Sequence, residues 1–115
     1  MIETVLLQYL DNVLAAPVYM EIPEQPPDTY VILEKVGGDR GNRLERATIA
    51  AQSYAPSLYE AALLNTAVKA AFFSAGEDLG EISAVDLNSD YNYTDPETKR
   101  YRYQALFEIY YYEEA

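Results

Sequence analysis

The strongest structural signal in the chain lies in residues 101–111, which read YRYQALFEIYY. Apolar and polar residues alternate there with the two-residue period of a β-strand that has one buried face. The predicted inner face carries Tyr101, Tyr103, Ala105, Phe107, Ile109 and Tyr111, and the outer face carries Arg100, Arg102, Gln104 and Glu108. A long alternating strand of this kind favours a sheet with one covered side.

Other strands are predicted before it in the chain. Residues 29–33 are rich in β-branched and aromatic side chains and continue towards Val36, and residues 45–53 alternate in the same way as the last strand. The polar stretch 37–43 between them predicts a hairpin with a long tip. A short strand is expected over residues 82–87, and the polar residues 88–96 that follow it predict a loop.

Prolines limit one further strand candidate. Residues 18–22 have strand character, but Pro23, Pro26 and Pro27 follow them and lack the backbone donors that a central strand needs. This segment is therefore either an edge strand or a loop.

Two amphipathic helices are predicted. In the first segment apolar residues recur at helical spacing until Pro17 ends the helix, at Ile2, Val5, Leu6, Tyr9, Leu10 and Val13. Residues 57–60, Ser-Leu-Tyr-Glu, match a capping box at the start of the second helix. Its buried stripe is Ala61, Leu64, Val68 and Ala71, and Gly76 is the expected stop. The sequence thus predicts one α+β domain over residues 1–115, with two main helices packed on a mostly antiparallel sheet of about four to five strands.

Charge and composition exclude several classes of protein. The 115 residues include 19 acidic and 8 basic side chains, so the net charge is −11, which disfavours binding to nucleic acid or to an anionic membrane surface. No apolar run approaches the ~18 residues of a membrane span, and the first residues do not resemble a secretory signal. A soluble protein is expected.

Catalytic chemistry has little support in the sequence. The chain has no histidine and no cysteine, which removes imidazole-based catalysis, thiol nucleophiles and the commonest metal ligands. The glycines at 37–41 lead into a predicted strand and do not form a phosphate-binding loop before a helix. We expect no enzyme, no cofactor and no catalytic or metal-binding residues. The carboxylates at 86, 90 and 95 and at 21 and 24 form either a weak divalent-cation site or, as we favour, solvated turns.

Tyrosine and arginine suggest a protein interface. Seven of the twelve tyrosines lie between Tyr91 and Tyr112, and the basic residues gather around the hairpin tip and at the start of the last strand. These features indicate contact surfaces, or else simple strand preference of tyrosine and cross-strand ion pairing. The predicted interface residues are Arg40, Arg43, Arg46, Asp90, Tyr91, Tyr93, Asp95, Arg100, Arg102, Tyr110 and Tyr112.

Several stretches together resemble a known family. These are YVILEKVGG at 30–38, ATIAAQSYA at 47–55, SLYEAA at 57–62, LNSDYNYTD at 87–95 and KRYRYQA at 99–105. In their residue patterns and in their order along the chain they resemble the small tail-completion proteins of siphophages and prophages of Gram-positive hosts. Those proteins are similar to the lambda-type tail terminators.

The resemblance implies a viral structural protein without a reaction. It implies a hexameric ring of identical subunits that caps the tail tube, stops its polymerisation and presents a surface to the head-tail connector protein. Such a ring is assembled in the host cytoplasm and ends in the virion, at the head-proximal end of the tail. Two alternatives stay open, another head-tail connector or completion protein, and a small acidic binding module or inhibitor from a mobile element.

Overall fold

A five-stranded sheet and two helices make up the computed structural model, which describes residues 1–41 and 43–112. In chain order the elements are α1 (Ile2–Val13), β1 (Val18–Tyr19), β2 (Tyr30–Arg40), β3 (Glu45–Ala55), α2 (Leu58–Asp78), β4 (Ile82–Asn92) and β5 (Tyr101–Tyr111). The strand order is β1-β2-β3-β5-β4, in which β1 runs parallel to β2 and every other pair is antiparallel. The predicted α+β fold is confirmed.

The last strand, β5, lies inside the sheet between β3 and β4. Its predicted inner face is buried at Ala105, Phe107, Ile109 and Tyr111. Tyr101 and Tyr103 are only half-buried, because they lie at the end of the sheet where α2 is just beginning after β3. Both helices pack on this face, and the Phe72 ring of α2 stacks on Phe107 with 3.9 Å between ring centroids.

The second helix begins where its capping box predicts. The Ser57 hydroxyl accepts a hydrogen bond from the Glu60 amide at 3.2 Å and donates one to the Glu60 carboxylate at 2.9 Å. The predicted stop at Gly76 is wrong, because α2 continues to Asp78. Gly76 instead allows close packing on β4, since a Cβ atom there would lie 3.0 Å from the Val85 side chain.

Three boundaries differ from the predicted ones in the strands. The candidate at 18–22 is an edge strand of two residues, β1. The predicted long tip at 37–43 is wrong, since β2 continues to Arg40 and pairs as far as Glu45. The predicted loop at 88–96 is wrong for its first part, because β4 pairs with β5 as far as Asn92. Polar side chains are tolerated in β4 because an edge strand exposes them to water.

Cross-strand ion pairs and the close approach at Gly38 accompany the pairing of the β2–β3 hairpin near its turn. Arg40 bonds Glu45 at 2.8 Å, and Arg46 bonds Asp39 at 2.9 Å. Gly38 allows the strands to approach, because a Cβ atom built there would lie 2.7 Å from the backbone oxygen of Arg46.

We predict that Gly38→Ala destabilises the protein by about 1–3 kcal/mol, since the new methyl group meets backbone that can only move with the strand. The matched control is Gly37→Ala. Its Cβ would have Thr48 as nearest neighbour at 3.8 Å, so a neutral effect or a stabilisation of about 0.4–1 kcal/mol is expected. Urea unfolding of both variants measures the difference, and equal stabilities would contradict the close approach at Gly38.

Candidate interaction surface

One face of the sheet is covered by α1 and α2, and the other carries no helix among the described residues. We call this second side the open face. Because side chains alternate along a strand, it receives the residues between those of the core. Its members include Tyr30, Ile32, Arg46, Thr48, Gln52, Tyr54, Arg102, Gln104, Glu108 and Tyr110.

A row of aromatic rings crosses one end of the open face from edge to edge. Tyr30 and Tyr54 are register partners on β2 and β3, and their rings stack at 4.6 Å with an interplanar angle of 7°. Tyr19 of β1 meets Tyr30 edge-on at 6.3 Å. The aromatic row consists of Tyr19, Tyr30, Tyr54, Arg102, Tyr93 and Tyr91.

Arg102 joins the two halves of the aromatic row. Its guanidinium carbon lies 4.5 Å from the Tyr93 ring centroid and 5.6 Å from that of Tyr54. Its Nη1 donates to the Tyr54 hydroxyl at 2.8 Å, and its Nε donates to the Tyr93 carbonyl at 2.6 Å. Beyond it, Tyr91 meets Tyr93 edge-on at 5.8 Å. A planar guanidinium suits this position because it stacks on rings and donates in fixed directions.

The inner and outer parts of the aromatic row differ in exposure. Tyr30 and Tyr54 are buried, and burial is the main cause that raises the pKa of the Tyr30 hydroxyl above its usual value. Tyr91 and Tyr93 are 39% and 43% exposed. The buried rings therefore hold the row in place, and the rings at the β4 side can contact a partner.

A chain of side-chain amides occupies the middle of the open face. Gln52 Nε2 donates to Gln104 Oε1 at 2.8 Å, and Gln104 Nε2 donates to the Tyr91 hydroxyl at 2.6 Å. Gln104 is largely buried, so these bonds satisfy polar groups that would otherwise be costly to enclose. They also fix the orientation of the exposed Tyr91 ring.

Charged groups at the far end of the open face bond one another. Arg46 bonds both Asp39 and Glu108, and Thr48 Oγ1 donates to the same Glu108 carboxylate at 2.8 Å. Hydrogen bonds from the Arg46 guanidinium lower the pKa of the Asp39 carboxyl, and the two carboxylates raise the pKa of Arg46. Arg46 and Arg40 thus make cross-strand ion pairs, the second of the two interpretations of the basic clusters.

The other predicted interface residues are spread over the molecule. Asp90 points to the helix side, where Lys69 and Asn65 of α2 bond its carboxylate and lower its pKa. Asp95 is bonded within the β4–β5 loop, where the Glu97 amide is the main cause of its lowered pKa. Arg43 lies in the β2–β3 turn, Tyr110 is half-buried on β5, and Tyr112 is exposed just beyond it.

A groove of about 260 Å³ opens beside the aromatic row, at the same end of the sheet. Pro26, Pro27, Tyr30, Tyr54, Lys99 and Arg100 line it together with Asp28. Lys99 is the one described residue other than glycine with a positive φ, at 54°. This backbone conformation costs a side-chain-bearing residue on the order of 1–3 kcal/mol.

Sequence reasoning named Tyr91, Tyr93 and Arg102 among the interface candidates but missed Tyr19, Tyr30 and Tyr54. The signal lay in the hairpin register, since Tyr30 and Tyr54 are partners because the register shifts by one residue between Lys35 and Gly37. A short pairing with a long tip gave no reason to place them together.

Two kinds of site were looked for among the described residues. Among residues 1–41 and 43–112 no group of three or more acidic, histidine or cysteine side chains could hold a metal ion. None of the helices in those ranges is long and apolar enough to cross a membrane.

Comparisons with known proteins do not identify a family for this chain. No family model matches the chain, and a search of curated proteins finds no match. The molecule is therefore defined by its architecture, an α+β protein with one sheet face covered by helices and the other open and crossed by an aromatic row.

Proposed function

We propose that this protein is a non-enzymatic phage or prophage structural subunit that forms a ring, caps the tail tube and stops its polymerisation. The ring also presents the surface to which the head-tail connector protein binds. The observation that carries the proposal is the open face with its aromatic row. Its place of action is the head-proximal end of the tail in the virion, after assembly in the host cytoplasm.

The composition of the open face suits a protein partner. Tyrosine and arginine are the residues most enriched at protein interfaces, and buried rings that support exposed ones reduce the entropy lost on binding. Tyr91 is already oriented by Gln104, and Tyr93 by Arg102. In the proposal, this surface binds the tail-tube protein.

The charges on the open face also support contact with protein. Arg46 is neutralised by Asp39 and Glu108, so this end of the face presents bonded pairs to a partner. A net charge of −11 repels phosphate backbones. DNA that passes through a ring of such subunits would not adhere to it.

A tube-polymerisation experiment tests the proposal. Tail-tube protein that polymerises in the presence of this protein should give tubes with a shorter mean length in electron micrographs. The double variant Tyr91→Ala, Tyr93→Ala should lose this effect, because it removes the exposed end of the aromatic row. The matched control is Tyr59→Ala on α2, which removes a tyrosine that is 73% exposed on the helical side.

Each result decides between the proposal and its alternatives. Unchanged tube lengths together with a strictly monomeric protein in light scattering would reject the terminator function. A ring that leaves tubes unchanged but binds heads would identify a connector instead. Loss of capping in Tyr59→Ala, but not in the double variant, would move the contact to the helical side.

A further inference from the structure

Each end of the molecule carries a group of charged side chains, basic at one end and acidic at the other, that form no salt bridge among the described residues. β5 is 11 residues long, so its start and its end lie about 33 Å apart. The β4–β5 loop and the start of β5 bring Lys99, Arg100 and Arg102 to one end. In the part of the chain that the structure describes, none of these three residues makes a salt bridge.

The opposite end carries the turn between α2 and β4, with Glu77, Asp78 and Glu81. The negative end of the macrodipole of a 21-residue helix lies here, and the last turn of α2 contains no basic residue. Carboxylates at a helix C-terminus repel that dipole. The Tyr9 hydroxyl donates to Asp78 at 2.6 Å, but no described cation bonds any of the three carboxylates.

Lys99 holds an unusual backbone conformation at the basic end. A residue with a φ of 54° is ordinarily glycine or asparagine, because a side chain is strained there. The α-turn that ends at Lys99 is closed by its own amide, which donates to the Asp95 carbonyl at 2.9 Å. The turn therefore depends on this backbone conformation, and Lys99 carries its basic side chain at a position where glycine would be less strained.

We infer that copies of this chain associate head to tail, with the acidic α2–β4 turn of one copy seated on the basic groove of the next. The groove is the one that Lys99 and Arg100 line with Pro26 and Pro27. This inference rests on the proposed ring function and names the contact between its subunits. The partner is a second copy because every copy has a net charge of −11 and carries both halves of the contact.

Electrostatics and symmetry agree in this arrangement. Charges at the groove and at the turn attract across the interface while the rest of the two surfaces repel, which fixes the orientation of the copies. A contact between two different surfaces of identical subunits is heterologous, and heterologous contacts form a closed ring when the rotation between copies closes. Single exposed ion pairs are weak, so the association should depend strongly on salt.

A charge swap tests the inference with the full chain. Sedimentation velocity over a concentration series is run on the wild type, Arg100→Glu, Glu81→Arg and the double variant that combines them. Each single change should weaken association by about tenfold or more, and the double variant should restore it to within about threefold of the wild type. The double variant keeps the net charge of −11, so a restored affinity reports the pair and not the overall charge.

Glu81→Arg gives the sharpest result. It replaces one negative charge by a positive one and so changes the net charge by two units. General repulsion between copies then falls, and association would become tighter if net charge governed it. The inference requires weaker association instead. Equal or tighter association of Glu81→Arg overturns the head-to-tail contact, and so does a double variant as weak as the two single variants. Lys35→Glu is the control for Arg100→Glu, because it makes the same charge change at the acidic end, where Lys35 and Glu81 line one hollow. The contact requires that Lys35→Glu does not weaken association, whereas general repulsion between copies would weaken it.

Lys99→Gly distinguishes an effect on association between copies from an effect on the stability of the fold. Glycine relieves the backbone strain, so the variant should unfold at an unchanged or higher urea concentration, while its association weakens. Unchanged association would remove Lys99 from the contact. If the swap restores association but tubes are never capped, the proposed function fails and the contact between copies stands. If tubes are capped and the swap restores nothing, the function stands and the subunits meet elsewhere.

Discussion

Replacement of Phe107 by alanine should lower the free energy of unfolding by about 3–5 kcal/mol, the largest effect that we expect from a single change. The Phe107 side chain is fully buried on the central strand β5, and the Phe72 ring stacks on it at 3.9 Å. Its loss leaves a cavity between α2 and the sheet. Because single domains have stabilities of about 5–15 kcal/mol, a large part of the total is lost. Urea unfolding followed by circular dichroism measures the change.

Leu87→Ala is the control for this prediction. Leu87 is the register partner of Phe107 on β4, but it is 36% exposed, so its truncation should cost about 1 kcal/mol or less. Similar losses in the two variants would mean that the helical layer does not form the core at this position. A small loss for Phe107→Ala alone would mean that the site can collapse around the missing ring.

The second large effect should follow from Tyr54→Ala, on the opposite face of the sheet. This change removes the ring that stacks on Tyr30 and the hydroxyl that accepts from Arg102. We expect a loss of about 3 kcal/mol or more, and increased mobility of Tyr93, because the guanidinium that contacts its ring loses its anchor. Unfolding measures the first effect, and NMR relaxation of the tyrosine rings measures the second.

Tyr54→Phe separates the two contributions. It keeps the ring stack and removes only the hydroxyl group, so it should cost about 1 kcal/mol. A loss as large as that of Tyr54→Ala would assign the effect to the hydrogen bond with Arg102. If neither variant lowers the free energy of unfolding, the aromatic row does not stabilise the open face.

Periodicity predicted the elements that face the core. Phe107 and Ile109 on β5, and Val68 on α2, are buried where the alternating and helical patterns place them. The capping residues predicted the first turn of α2 because the signal there is local, between Ser57 and Glu60. Such features need no knowledge of the rest of the chain.

Boundaries that depend on neighbouring strands could not be predicted in this way. Gly37 and Gly38 have turn-forming preferences, but pairing with β3 holds them in a strand. Gly76 has a helix-ending preference, but in this fold its missing side chain makes room for Val85. The polar end of β4 has the composition of a loop, and it becomes a strand only because β5 lies beside it.

In the candidate site, too, some features could be predicted from local sequence and others depend on neighbouring strands. The exposed tyrosines near the last strand could be singled out from sequence, whereas the row that joins them to Tyr30 and Tyr54 depends on strand order. Arg102 is the informative case, because it contacts two rings that lie far apart in the chain, Tyr54 on β3 and Tyr93 just after β4.

The central position of β5 has a consequence for how the chain folds. The strand that joins β3 to β4 is the last one in the described sequence, and its pairing with β3 connects residues such as Ala51 and Ala105. Closing loops of this length is entropically costly, and contacts so distant in sequence slow the search for the native state. During synthesis β4 has no partner in the sheet until residues 101–111 leave the ribosome. Until then the apolar face of α2 has only part of its sheet to cover it, so we expect the nascent chain to stay unfolded until its final strand arrives.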